Sequence, residues 1–267
     1  MYAVKPLFPQ LYLNRKLTSG LVFDVPFFEG AGTSPLELVN RMTPSAVGSP
    51  TWTDTTLGKS FKSIAANLNY YLYSACPTQM QGIINPTMEL IAFPTDITTS
   101  RNVFIKGTTS TRHHYFGIRT DNTSTNAWCW MLDYSGNNPG WGSPNPTLVL
   151  NAINHVFVTH SNIASTSTTP TFYINGRKYT TYSFAVAPTG TINADDAKVV
   201  IGADDSPAPT SANTFAGNII LGRIWNRNLS DQDIAELTYD PWCIYTPPLR
   251  QWLKSNSIRR LPALGVG

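Results

Sequence analysis

Cysteine is scarce in this chain: Cys76, Cys129 and Cys243 are the only three among 267 residues. An odd and widely spaced set argues against a disulfide framework of the small secreted kind and against a C-x-x-C metal knuckle. Buried thiols are the expectation. Charge is sparse too, at 13% of residues against 12% aromatics, with 18 Gly and 20 Pro; that balance suits many strands joined by turns and not a long helical protein. No apolar run is long enough to span a bilayer. The opening M-Y-A-V-K-P-L-F-P places proline where a secretion signal has its apolar stretch, so synthesis in a cytoplasm is expected. There is no G-x-S-x-G, no phosphate-cradling glycine loop ahead of a helix and no zinc knuckle.

What charge there is lies unevenly. Residues 1–20 carry Lys5, Arg15 and Lys16, and residues 241–267 carry Arg250, Lys254, Arg259 and Arg260, while all 16 acidic side chains lie between these ends. A net negative body therefore has two basic arms, a split expected of docking to an acidic surface. Trp252 beside Lys254 could stack a base, yet so few cations at two separated ends make a neighbouring protein the expected partner and not nucleic acid.

Between the arms the chain reads as β-structure. Short apolar runs are divided by Thr/Ser/Asn/Gly clusters at intervals of roughly ten residues, as in a sandwich or jelly roll. The segment T-F-Y-I-N-G-R-K-Y-T-T-Y is the clearest hairpin, because Asn175-Gly176 supplies the two positive-φ residues of a type I′ turn and so fixes the register. From Phe215 to Leu237 runs F-A-G-N-I-I-L-G-R-I-W-N-R-N-L-S-D-Q-D-I-A-E-L. Its first half alternates Ile219, Leu221 and Ile224 with small or polar residues, predicting a half-buried strand, and its second half predicts a short helix. Ser230 is its natural N-cap, Asp231 and Asp233 put negative charge on the first turn, and Leu229 is placed to staple onto Ile234.

A strand, N-R-x-L-S, then a short helix resembles the closing segment of laminin-G-like and pentraxin-like jelly rolls, through Phe215, Gly217, Ile219, Gly222, Ile224, Asn226, Leu229, Ser230, Ile234 and Leu237. The opening strand, with Glu29, Gly30, Gly32 and Thr33, resembles the same family, as does H-V-F-V-T-H (155–160) followed by the Asn175-Gly176 hairpin. The resemblance covers roughly residues 20–240 and is strongest after residue 155. It implies an all-β antiparallel β-sandwich jelly roll of the concanavalin A-like type, with one short C-terminal helix at Ser230 to Leu237. The expected organisation is an N-terminal basic arm (1–19), one jelly-roll domain (20–240) and a C-terminal docking tail (241–267) whose contacts would be Trp242, Arg250, Trp252, Lys254, Arg259 and Arg260. The Pro-Trp tail itself resembles those after such domains in bacteriophage proteins.

Four groups of residues invite a chemical role. Asp204-Asp205 are adjacent turn carboxylates, able to offer calcium hard oxygen ligands. The pentraxin-like resemblance places ligands at the same loop and a second pair at Asp121 and Asn122; calcium is the one cofactor it admits. The alternative is a pair of solvated turn aspartates. The stretch from Asp133 to Pro146 has the composition of a shallow sugar site, with Trp141 and Tyr134 as ring faces and Asn137 and Asn138 as hydroxyl partners. Against this, Trp141 could fold back to cover the sandwich. His113-His114, and the pair His155 and His160, stand at spacings that turn their side chains to opposite faces of a strand, so ordinary structural or surface histidines are expected. Enzymes of this fold that cleave β-glucans carry an E-x-D-x-E strand, and no such triplet occurs.

These features lead to an expected non-enzymatic structural protein of a bacteriophage-like virion, decorating the capsid or sitting at the neck or tail. It would be assembled in the host cytoplasm, with the jelly roll facing outward and the arms docking to other virion proteins and to copies of itself. The alternative, from a different class, is a carbohydrate-binding adhesion or receptor-recognition module that meets a surface glycan. Neither reading involves a membrane.

Overall fold

The computed structural model describes residues 16–64, 68–107, 115–121, 126–195, 197–203 and 213–245. Among them, two antiparallel sheets of eight strands each stack face to face. The first sheet runs β13 (Arg177–Tyr179), β12 (Thr171–Ile174), β11 (Asn154–Thr159), β6 (Thr87–Pro94), β16 (Gly217–Trp225), β4 (Gly58–Ser63) and β3 (Thr51–Thr55). Its eighth strand, β1 (Leu21–Val25), pairs with the C-terminal half of β16, while β4 pairs with the N-terminal half. The second sheet runs β14 (Phe184–Val186), β10 (Gly140–Gly142), β9 (Ala127–Leu132), β8 (Phe116–Asp121), β7 (Arg101–Lys106), β15 (Val199–Ile201), β5 (Tyr70–Tyr73) and β2 (Ser45–Val47). A helix, α1 (Asp231–Tyr239), follows β16.

The inward faces carry large side chains from both sheets, among them Phe23, Phe61, Leu90, Val156 and Ile224 from the first and Tyr71, Phe104, Trp128 and Trp130 from the second. Each such ring or branched chain contributes roughly 2–3 kcal/mol by leaving water. The expectation of a half-buried β16 is corrected. A register shift between Ile219 and Leu221 lets the strand bury both faces: Ile219 and Ile224 join the core, while Ile220, Leu221 and Trp225 point outward into a second cluster. That cluster lies under a cap built from Leu17, Leu229, Ile234, Leu237, Trp242 and Ile244.

The cap explains why the helix starts where it does. Ser230 Oγ accepts from the Asp233 backbone N–H at 3.2 Å and Asp233 Oδ2 accepts from the Ser230 N–H, a reciprocal capping box. Asp233 also meets Lys16 Nζ at 2.8 Å and Arg227 Nη1 at 3.2 Å. The beginning of the chain is thus tied to the helix cap. The hairpin between β12 and β13 also forms as expected, with φ of 50° at Asn175 and 83° at Gly176.

The packed body extends beyond 20–240 at both ends. Leu17, assigned to the arm, is 2% exposed, and the Trp225 indole donates to its carbonyl at 2.8 Å. Trp242, expected as a docking residue, is also 2% exposed and packs its ring on Phe28 and Tyr245. It anchors the root of the tail and has no face left for a partner.

Candidate functional site

Charged residues inside apolar strands meet under the cap. Asp24 of β1, Glu89 of β6 and Arg223 of β16 are side by side on the outer face of the first sheet, each 0% exposed. The Arg223 guanidinium donates from Nε to Asp24 at 3.0 Å, from Nη1 to Glu89 at 2.9 Å, and from Nη2 to the Pro241 carbonyl and the Tyr245 hydroxyl, both at 2.8 Å. Tyr245 donates on to Asp24 at 2.8 Å, and His155 Nε2 meets Glu89 at 2.7 Å. Burial pushes the Asp24 carboxyl up to about 6 against the pull of Arg223 and Tyr245. Burial raises Glu89 too, but Arg223 and His155 together hold it below the ordinary carboxylate range. A guanidinium with every face satisfied and no access to water cannot meet a substrate. The cluster clamps residues 241–245 onto the sheet.

Past the edge of the cap, no described residue covers the same sheet face. Register places Lys62 of β4 opposite Asn218 of β16, and Asn218 opposite Phe93 of β6. Their neighbours Phe61, Ile219 and Ala92 point into the core, so alternation turns Lys62, Asn218 and Phe93 outward. Among the described residues, Phe93 and Ile153, with Asp54, Thr55, Thr56 and Asn218, line an open cavity of about 690 Å³. An adjoining lobe of about 330 Å³ shares Asn218 and is lined by Thr53, Lys62, Ser63, Thr95, Ala216 and Gly217, among others. Gly217 has φ of 146°, and a Cβ there would sit 2.2 Å from the Phe93 carbonyl oxygen. Only glycine permits that approach. Both volumes fall in the range typical of small-molecule sites, roughly 300–1,000 Å³. A flat ring and an aliphatic chain form the floor, and hydroxyls, an amide, a carboxylate and an ammonium surround it. Asp54 is paired with Lys59 at 2.7 Å; Lys62 is exposed and has no acidic partner among the described residues.

The residues singled out from sequence fall elsewhere. Trp141 is 1% exposed on β10 and meets the His160 ring edge-on at 5.4 Å. The expectation that it stacks on a sugar is corrected: Gly140–Gly142 is a strand between β9 and β14, and its alternation turns the indole into the core. Tyr134 is 2% exposed and donates to the Ile163 carbonyl, so its ring is not available either. Asn137 bridges to the Ala187 carbonyl and the Thr189 N–H at 2.8 and 2.9 Å, leaving Asn138 the exposed member of the set. Asp121 ends β8 at 1% exposure, near Ser100 Oγ at 3.4 Å. Asn122, Asp204, Asp205, His113, His114, Arg250, Trp252, Lys254, Arg259 and Arg260 lie outside the described residues. Among those that are described, no group of three or more His, Cys, Asp or Glu could hold a metal ion, and no helix is long and apolar enough to cross a membrane.

His155 and His160 do face apart. His160 Nδ1 accepts from the Trp130 indole at 3.0 Å and its Nε2 meets Thr168 Oγ1 at 3.1 Å. The indole can only donate, so the proton sits on Nε2. Burial pushes the imidazole down to about 4.

The solved structures similar to this chain agree on the fold. A Trypanosoma rangeli sialidase in complex with 2,3-difluorosialic acid aligns with a TM-score of 0.59 at 14% identity, over 83% of this chain and 33% of that one. The binding domain of Paraclostridial Mosquitocidal Protein 1 aligns at 0.58 and 13% identity, over 84% and 52%. The Botulinum Neurotoxin Type G receptor binding domain gives 0.56 and 11%, over 82% and 51%. The chain thus spans a third of the sialidase and about half of each toxin chain. No curated protein sequence matches it. A family model described as the concanavalin A-like lectin/glucanases superfamily matches residues 85–235, more than half of the chain, and the protein belongs to that superfamily.

Proposed function

We propose that this protein is a non-catalytic recognition module which binds a saccharide in the open groove on the outer face of its first sheet. The observation that carries the reading is the cross-strand row Lys62, Asn218 and Phe93, extended by Ile153, uncovered by any described residue on a face whose other half lies under the cap. An aromatic floor with mixed donors and acceptors around it suits a pyranose, which has an apolar ring face and a hydroxyl rim. A docked protein needs roughly 800 Å² per partner, far more than two apolar side chains supply. Two of the similar structures are binding domains of toxins, one a receptor binding domain, which favours recognition over turnover. Among the described residues, Asp24 and Glu89 are carboxylates that share Arg223 and are buried, which also favours a non-catalytic role. The test is a glycan array probed with the intact protein and with Phe93→Ala, folding being checked by circular dichroism. Signal lost in the variant supports the reading, whereas unchanged signal or a blank array overturns it.

A second reading, as a structural component of a phage-like virion, draws on the chain ends. Ser19 and Lys16 offer their carbonyls to Arg227, and Pro241 offers its own to Arg223, so both ends enter one cap. The basic sequences that precede Lys16 and follow Tyr245 are thus both joined to the body at this cap, which suits attachment to neighbouring subunits. Removing residues 246–267 should then abolish incorporation into particles, and full occupancy by the truncated protein would refute it.

A further inference from the structure

The polar lobe beside Asn218 adds a specificity that the groove's general character does not define. Its ammonium, Lys62, is exposed on β4, and Asp54, the carboxylate of the neighbouring lobe, is already engaged by Lys59 at 2.7 Å. Taken together, the groove presents one unneutralised cation and no unneutralised anion among its described lining. Space beside that cation exists because positions 216 and 217 are Ala and Gly, and Gly217 cannot be replaced without striking the Phe93 carbonyl. Hydroxyls of Thr53, Ser63 and Thr95 lie around it. Ser63 Oγ donates to backbone carbonyls of Asn69 or Phe215, at 2.8 Å each, leaving Thr53 and Thr95 as adaptable partners. Lys62 and Phe93 stand two strand spacings apart across Asn218, roughly 10 Å. A sugar ring lying on Phe93 can place a substituent at the ammonium across that distance, with the Asn218 amide meeting the atoms between.

We infer that the groove selects an acidic saccharide, a uronic or sialic acid terminus whose ring lies on Phe93 and Ile153 and whose carboxylate is held by Lys62. The inference rests on the saccharide-binding reading above and adds the charge class. Carboxylate and ammonium meet at a partly exposed site, so the pair gives a charge-assisted hydrogen bond, about tenfold in affinity, and salt weakens it. The counter-charge in this contact is the Lys62 ammonium.

The experiment is calorimetric titration of the intact protein, with EDTA present, against three oligosaccharides alike except for their terminal residue: glucuronate, N-acetylneuraminate or neutral hexose. Lys62→Ala is titrated beside the wild type and Phe93→Ala. Lys62 is exposed, so its removal leaves the fold intact. The expected result is that at least one acidic terminus binds about tenfold more tightly than the neutral one. That preference should disappear in Lys62→Ala and shrink between 50 and 500 mM salt. Equal binding of acidic and neutral sugars, abolished by Phe93→Ala, overturns the charge class and leaves the groove reading standing. Preference for acidic sugar that survives Lys62→Ala also overturns it. No binding of any sugar, or binding indifferent to Phe93→Ala, removes both.

Discussion

Replacing Arg223 by methionine isolates what the buried cluster contributes. Methionine keeps the aliphatic stem of the side chain but deletes the guanidinium, with its bonds to Asp24, Glu89, the Pro241 carbonyl and the Tyr245 hydroxyl. Two fully buried carboxylates are then left with His155 and Tyr245 alone. Breaking a buried pair by removing one partner costs about 3–5 kcal/mol, roughly a 10 °C fall in Tm for a chain of this size. The assay is urea unfolding at several pH values. At pH 7 the variant should be less stable by that amount. As pH falls towards 5 the two orphaned carboxyls take up protons, and a neutral carboxyl is cheaper to bury. The deficit should therefore shrink by about 1 kcal/mol or more. A deficit under 1 kcal/mol at pH 7, or one that does not change with pH, would refute the view that uncompensated charge is what Arg223 prevents. Hydrogen exchange on the same variant should show residues 241–245 opening before the sheets, since the clamp on Pro241 and Tyr245 goes with the guanidinium.

The remaining tests address other parts of the fold. His160 is held neutral with a folded-state pKa near 4 against an ordinary 6.5. Its contribution is complete above pH 6.5 and is lost as pH falls through 4, about 3 kcal/mol at 1.36 kcal/mol per unit. Asp24 acts in the opposite sense, since a carboxyl raised to about 6 favours the fold as pH falls from 6 to 3.8; subtracting the curve of His160→Gln from the wild type isolates the histidine. That difference should be flat above pH 6.5 and slope below it, and a flat difference throughout would rule the account out. Ser230→Ala removes one half of the capping box and should cost about 1 kcal/mol in thermal or chemical melts, with no effect on the groove.

The fold was legible in the sequence because its strands are short and punctuated and because Asn175-Gly176 and Leu229-Ser230 are strong local signals. The helix cap, the hairpin and the outward and inward turns of His155 and His160 all depend on residues close in the chain. For Trp141 the sequence leaves two readings open, a sugar-stacking ring or a cover for the sandwich, and the structure bears out the second. Its glycine-rich surroundings read as a loop, and only pairing with Trp130 on β9 and Ala185 on β14 makes the segment a strand. The buried cluster left a trace that could have been followed: Asp24, Glu89 and Arg223 each interrupt an apolar run, and charges in such positions are seldom buried without partners. What could not be seen was their meeting, across separations of up to 199 residues. The groove was less visible still. Lys62, Asn218 and Phe93 are unremarkable one at a time, and sheet register alone makes them a row.

Ligand recognition on the outer face of the first sheet can be seen by soaking crystals of the intact protein with an oligosaccharide that ends in an acidic sugar. Density for a sugar ring is expected over Phe93 and Ile153, with Asn218 and Lys62 at its rim. A sugar bound instead at the 133–146 segment, or a groove holding only water at saturating ligand, would contradict it.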